Sequence, residues 1–288
     1  MDMGPVASDH RQDKRTKKLP RAHRADDPVW LAIREEVNRE VDRESILASF
    51  LYATILRHDT LEDALSFHLA GKLGGPSLSE MLIREVIDEA LSSSPQIGEA
   101  IRADLRAVRE RDPASTSYSH PFLYFKGFQA LQSYRVGHWL WTQDRRSLAL
   151  FLQNRISQVF AVDIHPAARI GQGILIDHGT GVVIGETAVV ENDVSMLHDV
   201  TLGGTGKETG DRHPKVRVGV LIGAGAKILG NVEIGTGAKI GAGSVVLTSV
   251  KPHCTVAGVP AKVVGKPCDH DPALTMDHRL LPDSGSGI

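Results

Sequence analysis

Residues 216–246 read VRVGVLIGAGAKILGNVEIGTGAKIGAGSVV, and within them Val216, Ile222, Ile228, Ile234, Ile240 and Val246 recur at intervals of six. Gly223, Gly235 and Gly241 directly follow three of these aliphatics. An interval of six matches neither the 3.6 of a helix nor the 2.0 of a continuous strand. It describes one short strand and one tight turn, repeated, with three units to a coil and the aliphatic side chains stacked inside. Small residues and glycine at the turns take up left-handed backbone without a steric cost. A glycine-rich sandwich would alternate with period two and space its turns irregularly, which this stretch does not do.

Upstream, Ile164, Ile170 and Ile176 form an earlier run of the same period, and Ile184, Val190, Met196 and Leu202 form another, shifted by two. Between Leu202 and Val216 the interval is fourteen, and GGTGKETGDRHPK (203–215) is too long for a hexapeptide turn. It must leave the solenoid as a loop, carrying Arg212 and His213 on a rigid scaffold. The solenoid is expected over 161–265, with this loop spanning 203–217.

The preceding text, 27–160, is helical. Asp27 is placed to cap, Pro28 suits a first turn, and Ile33, Val37 and Val41 recur at a spacing of four. Helices are expected near 28–42, 44–58, 61–72, 78–92, 96–110, 121–143 and 146–160, with Thr60/Asp63 and Ser77/Glu80 as capping boxes. Residues 1–26 are polar and basic, without apolar periodicity, and are expected to be a disordered tail; Asp2, Asp9 and Asp13 argue against a transit peptide. Residues 266–288 are expected to form a flexible tail.

A chain of 288 residues, 41% of them hydrophobic, accommodates such a two-part architecture. With 33 basic against 35 acidic residues it has no global field for nucleic acid or an anionic membrane. The two cysteines, Cys254 and Cys268, lie outside any zinc or redox spacing. No apolar run reaches the roughly 20 residues of a membrane helix, so the expected location is the cytoplasm.

The segments VDIHPAARIG, IDHGTGVVIGETAVVENDVS, TLGGTGK, GDRHPK, IGAGAKILGNVEIG and AGVPAKVVGKP resemble those of the serine acetyltransferase family. So do LASF, RDPA and LYFKGFQALQSYRVGHWLW in the helical half, and the resemblance covers roughly residues 28–268. DHGTG with GDRHPK and a long helical domain separates this family from other hexapeptide acyltransferases. The resemblance implies an α+β chain, an all-α N-terminal domain followed by a left-handed parallel β-helix, assembled as trimers or dimers of trimers. It implies transfer of an acetyl group from acetyl-CoA to the L-serine hydroxyl, giving O-acetyl-L-serine and CoA, the first step of cysteine biosynthesis from serine, without a metal and under feedback inhibition by L-cysteine. Relatives carry residues such as Gln-Ser where this chain has His198-Asp199.

A serine hydroxyl is a poor nucleophile until a base takes its proton, and a histidine with a pKa near 6.5 suits that task. His178, in Ile176-Asp177-His178-Gly179-Thr180-Gly181, is the candidate. Its orienting carboxylate is assigned to Asp163, fifteen residues earlier and so about one coil away. By resemblance, Asp112 and Asp177 receive the serine amine or hydroxyl, and Arg212 and His213 its carboxylate. The family pattern places coenzyme A against Gly204, Ala224 and Ala242, with Lys262 near a phosphate. The terminal Ser286-Gly287-Ile288 resembles the family's docking segment for O-acetylserine sulfhydrylase, with Ile288 entering that partner's site. Three other readings stand beside these: a sugar or antibiotic acetyltransferase, a γ-class carbonic anhydrase using His165, His178, His198 and His213, and a purely structural solenoid.

Overall fold

The computed structural model describes residues 27–206, 209–265 and 271–280. Its first half is helical. α1 (Pro28–Arg43) is capped by Asp27, whose side chain accepts from the backbone N–H groups of Val29 and Trp30. A 3₁₀ turn (Ser45–Leu47), α2 (Ala48–Leu51) and a π turn (Tyr52–Leu56) lead to α3 (Leu61–Leu73), capped by Thr60 through the Asp63 N–H. α4 (Glu80–Ser93), α5 (Pro95–Arg111), α6 (Ser119–Tyr124), α7 (Lys126–Thr142) and α8 (Arg146–Phe160) follow. Two expectations are corrected. The cap of α4 is Ser79, bonded to the Leu82 N–H, rather than Ser77, so that helix starts two residues late. The single helix expected over 121–143 breaks at Phe125, which is extended (φ −86°, ψ 106°), leaving α7 with a free N-terminus at Lys126.

The second half is a three-sided parallel solenoid. Its first face stacks β1 (Val162–Ile164), β4 (Val182–Ile184), β7 (Thr201–Gly203), β10 (Lys227–Leu229) and β13 (Val245–Val246). The second stacks β2 (Arg169–Ile170), β5 (Val189–Val190), β8 (Lys215–Val216) and β11 (Glu233–Ile234). The third stacks β3 (Leu175–Ile176), β6 (Ser195–Met196), β9 (Leu221–Ile222), β12 (Lys239–Ile240) and β14 (Thr255–Gly258), and β15 (Ala261–Val263) turns back antiparallel on β14. The six-residue ladder lies inside: Val216, Ile222, Ile228 and Ile234 are fully buried, and Ile240 and Val246 nearly so. Each such side chain contributes roughly 1.5–3 kcal/mol of apolar burial.

The irregularities of the period are where the coil is interrupted. Ile228 pairs with Val246, a step of 18, whereas Val162 pairs with Val182, a step of 20. The two extra residues fall in the turn 177–181, between the third and first faces. Leu202 pairs with Ile228, a step of 26, because the 203–215 loop adds eight residues between the first and second faces.

Two buried ionic clusters fasten the helical half to the solenoid. Asp104, with no exposed surface, accepts from Arg135 Nη2 at 2.6 Å, Gln132 Nε2 at 3.0 Å and the Ile174 N–H at 2.9 Å. Arg111 donates to the Gly173 carbonyl, to Ser195 Oγ and to Asp193. Removing Arg135 would leave the Asp104 carboxylate buried without its cation, at a cost of about 3–5 kcal/mol.

Residues 271–280 depart from the flexible tail expected from 266 onward. A short helix, α9 (Pro272–Thr275), seats Ala273 with no exposed surface, and the Ala273 carbonyl accepts from Ser195 Oγ at 2.9 Å. Buried Lys239 then donates to the carbonyls of Asp277 (2.9 Å) and Arg279 (2.8 Å), so the segment straps the outer surface of the third face. These holds use backbone carbonyls, which leave no mark in a hydropathy pattern. The 1–26 tail and Ile288 lie outside the described residues.

Candidate active site

His178 sits at the edge between the third and first faces, on the lengthened turn. Its φ is +58°, a left-handed conformation that costs a non-glycine residue on the order of 1 kcal/mol. The turn is held from both sides. Below, the Gly181 N–H donates to the Ala161 carbonyl; above, the Asp199 N–H donates to the Thr180 carbonyl at 2.7 Å. The start of α7 presses against it: Lys126 Nζ donates to Thr180 Oγ1, and Gly127 packs so closely on the Ile176 carbonyl that a Cβ there would overlap it. The effect is an imidazole whose side chain is 72% exposed on a turn that has little freedom.

Asp177 Oδ2 lies 3.7 Å from His178 Nε2, and the His198 ring one coil above stands edge-on to the His178 ring, centroids 5.8 Å apart. The same edge continues upward through Ala224 and Ala242: Gly225 N–H donates to the His198 carbonyl and Gly243 N–H to that of Ala224. Small side chains there leave backbone open to an extended ligand. Asp163 lies on the first face and accepts from Gln153 Nε2 at 2.7 Å. Asp112 ends α5 with its Oδ1 on the Ala114 N–H, beside Arg111.

Arg212 and His213 occupy a different edge, between the first and second faces. Arg212 Nη2 pairs with Glu186 Oε2 at 2.8 Å, which holds the Glu186 carboxyl below its usual range. His213 is 7% exposed and packed flat on Gly185, where no Cβ would fit. Burial, reinforced by the neighbouring Arg212 charge, lowers its pKa and so favours the neutral ring. Gly204 lies on this edge beside Arg212, while Lys262 is exposed on β15. One chain therefore brings Asp177, His178, Ala224 and Ala242 together on one edge, and Gly204, Arg212 and His213 on another. Sequence reasoning missed Lys126, Gly127, Glu186 and Thr187; only the glycine, opening a helix next to an aromatic pair, offered a signal.

The profile for "Serine acetyltransferase, N-terminal" matches residues 29–133, and that for "Bacterial transferase hexapeptide (six repeats)" matches 213–248. A serine acetyltransferase of Escherichia coli K12 is 60% identical over 252 residues, 88% of this chain and 92% of that protein. The chain belongs to the serine acetyltransferase family. Among solved serine acetyltransferases, one in complex with cysteine superposes with a TM-score of 0.86 at 57% identity, covering 87% of this chain and 98% of that one. Another, from Brucella abortus S19 in complex with coenzyme A, superposes with a TM-score of 0.82 at 52% identity over 83% and 96% of the two chains. The fold is accordingly the family's α+β architecture with a left-handed parallel β-helix, and the chain is an acyltransferase. Among the described residues, no helix is long and apolar enough to cross a membrane, and no three His, Cys, Asp or Glu side chains group as a metal site.

Proposed function

We propose that the chain transfers the acetyl group of acetyl-CoA to the L-serine hydroxyl with His178 as general base, at a site completed by a second copy of the chain. The observation that carries the reading is the division of the site residues between two edges of one prism. Serine bound at His178 reaches Asp177 on the same edge, whereas Arg212 and His213 come within reach only from the adjacent edge of a neighbour. A threefold assembly through the first faces does this, and those faces expose Val183 (39%) and, just beyond β13, Leu247 (51%).

Coenzyme A lies along Ala242 and Ala224 toward His178, with Gly204 contributed from the neighbour and Lys262 near its phosphates. His178 takes the hydroxyl proton as the oxygen attacks the thioester carbonyl. The tetrahedral intermediate collapses, the C–S bond breaks, and the imidazolium returns the proton to the departing thiolate. Asp163, one residue beyond the Val162 that packs against the His178 turn, orients the base, and Asp112 joins Asp177 around the serine ammonium. L-cysteine presents the same ammonium and carboxylate and competes at this site.

The test is release of free coenzyme A from acetyl-CoA with L-serine, set against sugars and other amino alcohols, and repeated with added L-cysteine. Serine-specific release with a serine KM raised by cysteine is expected; release driven equally by sugars would defeat the assignment. The chain end is read as the dock for O-acetylserine sulfhydrylase. Deleting Ile288 should weaken that binding at least about tenfold, roughly 1.4 kcal/mol, with acetyl transfer intact. Equal affinity by calorimetry for full-length and Ile288-deleted protein would reject the docking role.

A further inference from the structure

The loop that carries Arg212 and His213 is organised around one side chain, Thr187, in the turn between β4 and β5. Its Oγ1 accepts from the backbone N–H of Arg212 at 3.0 Å and of His213 at 3.1 Å, using both lone pairs. The hydroxyl proton that remains has two acceptors in reach, His213 Nδ1 at 2.9 Å and the Asp211 carboxylate. The Thr187 N–H points at the same Nδ1 at 3.2 Å, and the Thr187 carbonyl accepts from Lys215 Nζ at 2.9 Å. Lys215 in turn holds the His213 carbonyl at 2.7 Å and Asp211 Oδ1 at 2.6 Å.

The protons can be counted. The Thr187 N–H can only donate, so Nδ1 is the bare nitrogen and the ring proton of neutral His213 sits on Nε2. A ring with the opposite tautomer would set its N–H against the Thr187 N–H, leaving both donors unpaired.

We propose that Thr187 is the positioning residue of the carboxylate half-site: it fixes the approach of Arg212 and holds His213 as the Nε2–H tautomer, a hydrogen-bond donor to a substrate carboxylate. The inference rests on the reading of Arg212 and His213 given above. It assigns the preference for a free amino-acid carboxylate to a residue that does not touch the substrate.

The experiment compares L-serine with L-serinamide, which lacks the carboxylate, in the full-length wild type and in Thr187→Val, Thr187→Ser and Arg212→Ala. Thr187→Val keeps the shape and removes the hydroxyl. It should raise the serine KM at least about tenfold, with a smaller fall in kcat, and lower the preference for serine over serinamide by a similar factor. Thr187→Ser should restore both. Should Thr187→Val fail to assemble, Thr187→Ala serves instead, with the same loss of preference expected. Wild-type preference in an assembled Thr187→Val or Thr187→Ala enzyme, while Arg212→Ala loses it, overturns the positioning role alone. Wild-type preference in Arg212→Ala removes the carboxylate half-site itself.

Discussion

His178 combines two properties that usually conflict, exposure and fixed geometry. Its ring is open to solvent while its backbone is held in a left-handed turn between the carbonyls of neighbouring coils. Because the side chain supports no core packing, its removal should subtract chemistry and little else. His178→Ala is expected to lower kcat by at least about 10²-fold with an unchanged melting temperature, since general-base catalysis supplies about 10² to 10⁴. Asp163→Asn should cost less. Near-normal turnover by a folded His178→Ala protein would rule out its role as base. At this scale the sequence was readable where placement is local: DHGTG puts His178 on a turn and GDRHPK puts Arg212 and His213 in the long loop. Thr187 was not, because its bonds reach Arg212 and His213, 25 and 26 residues away, and no periodicity marks such a partner. The contact of Asp177 with the His178 ring was not legible either, since adjacency in sequence says nothing about which way a side chain projects from its turn.

Elements were legible in proportion to how regularly they repeat. The interval of six specified the coils, and the slip of two between Ile176 and Ile184 was visible as a phase change. Its meaning was hidden until the turn it lengthens proved to be the one carrying His178. The break at Phe125 was harder to see, because FKGF reads as uninterrupted helix. That break lets the first residues of α7 abut the turn that carries His178, with Gly127 at the point of contact. Gly127→Ala should therefore push the turn off its seat against the Ile176 carbonyl. A fall in kcat/KM of about tenfold or more is expected, with helical content by circular dichroism preserved, because alanine favours α7 itself. Full activity in Gly127→Ala would show that the turn does not depend on this contact. The 271–280 strap was missed for a different reason: lysine and serine donors holding main-chain oxygens look the same in sequence as a solvated tail.

For the whole molecule, the proposed division of the site between copies makes activity a property of the assembly. Chains bearing His178→Ala and chains bearing Arg212→Ala should each be nearly inactive alone. Co-assembled in equal amounts, about one quarter of the interfaces should pair an intact His178 with an intact Arg212, and a matching share of activity should return. No recovery in verified mixed oligomers would place the whole site within one chain. The parallel stacking that carries the site also leaves every solenoid with a raw upper rim, where unpaired amides and carbonyls invite the next strand from any passing chain. On the third face β15 closes that rim by running against β14, with Val256 opposite Val263 and Gly258 opposite Ala261. A stack of identical coils is the geometry from which fibrils grow, and reversing direction for its last strand gives this chain a stop signal against head-to-tail polymerisation.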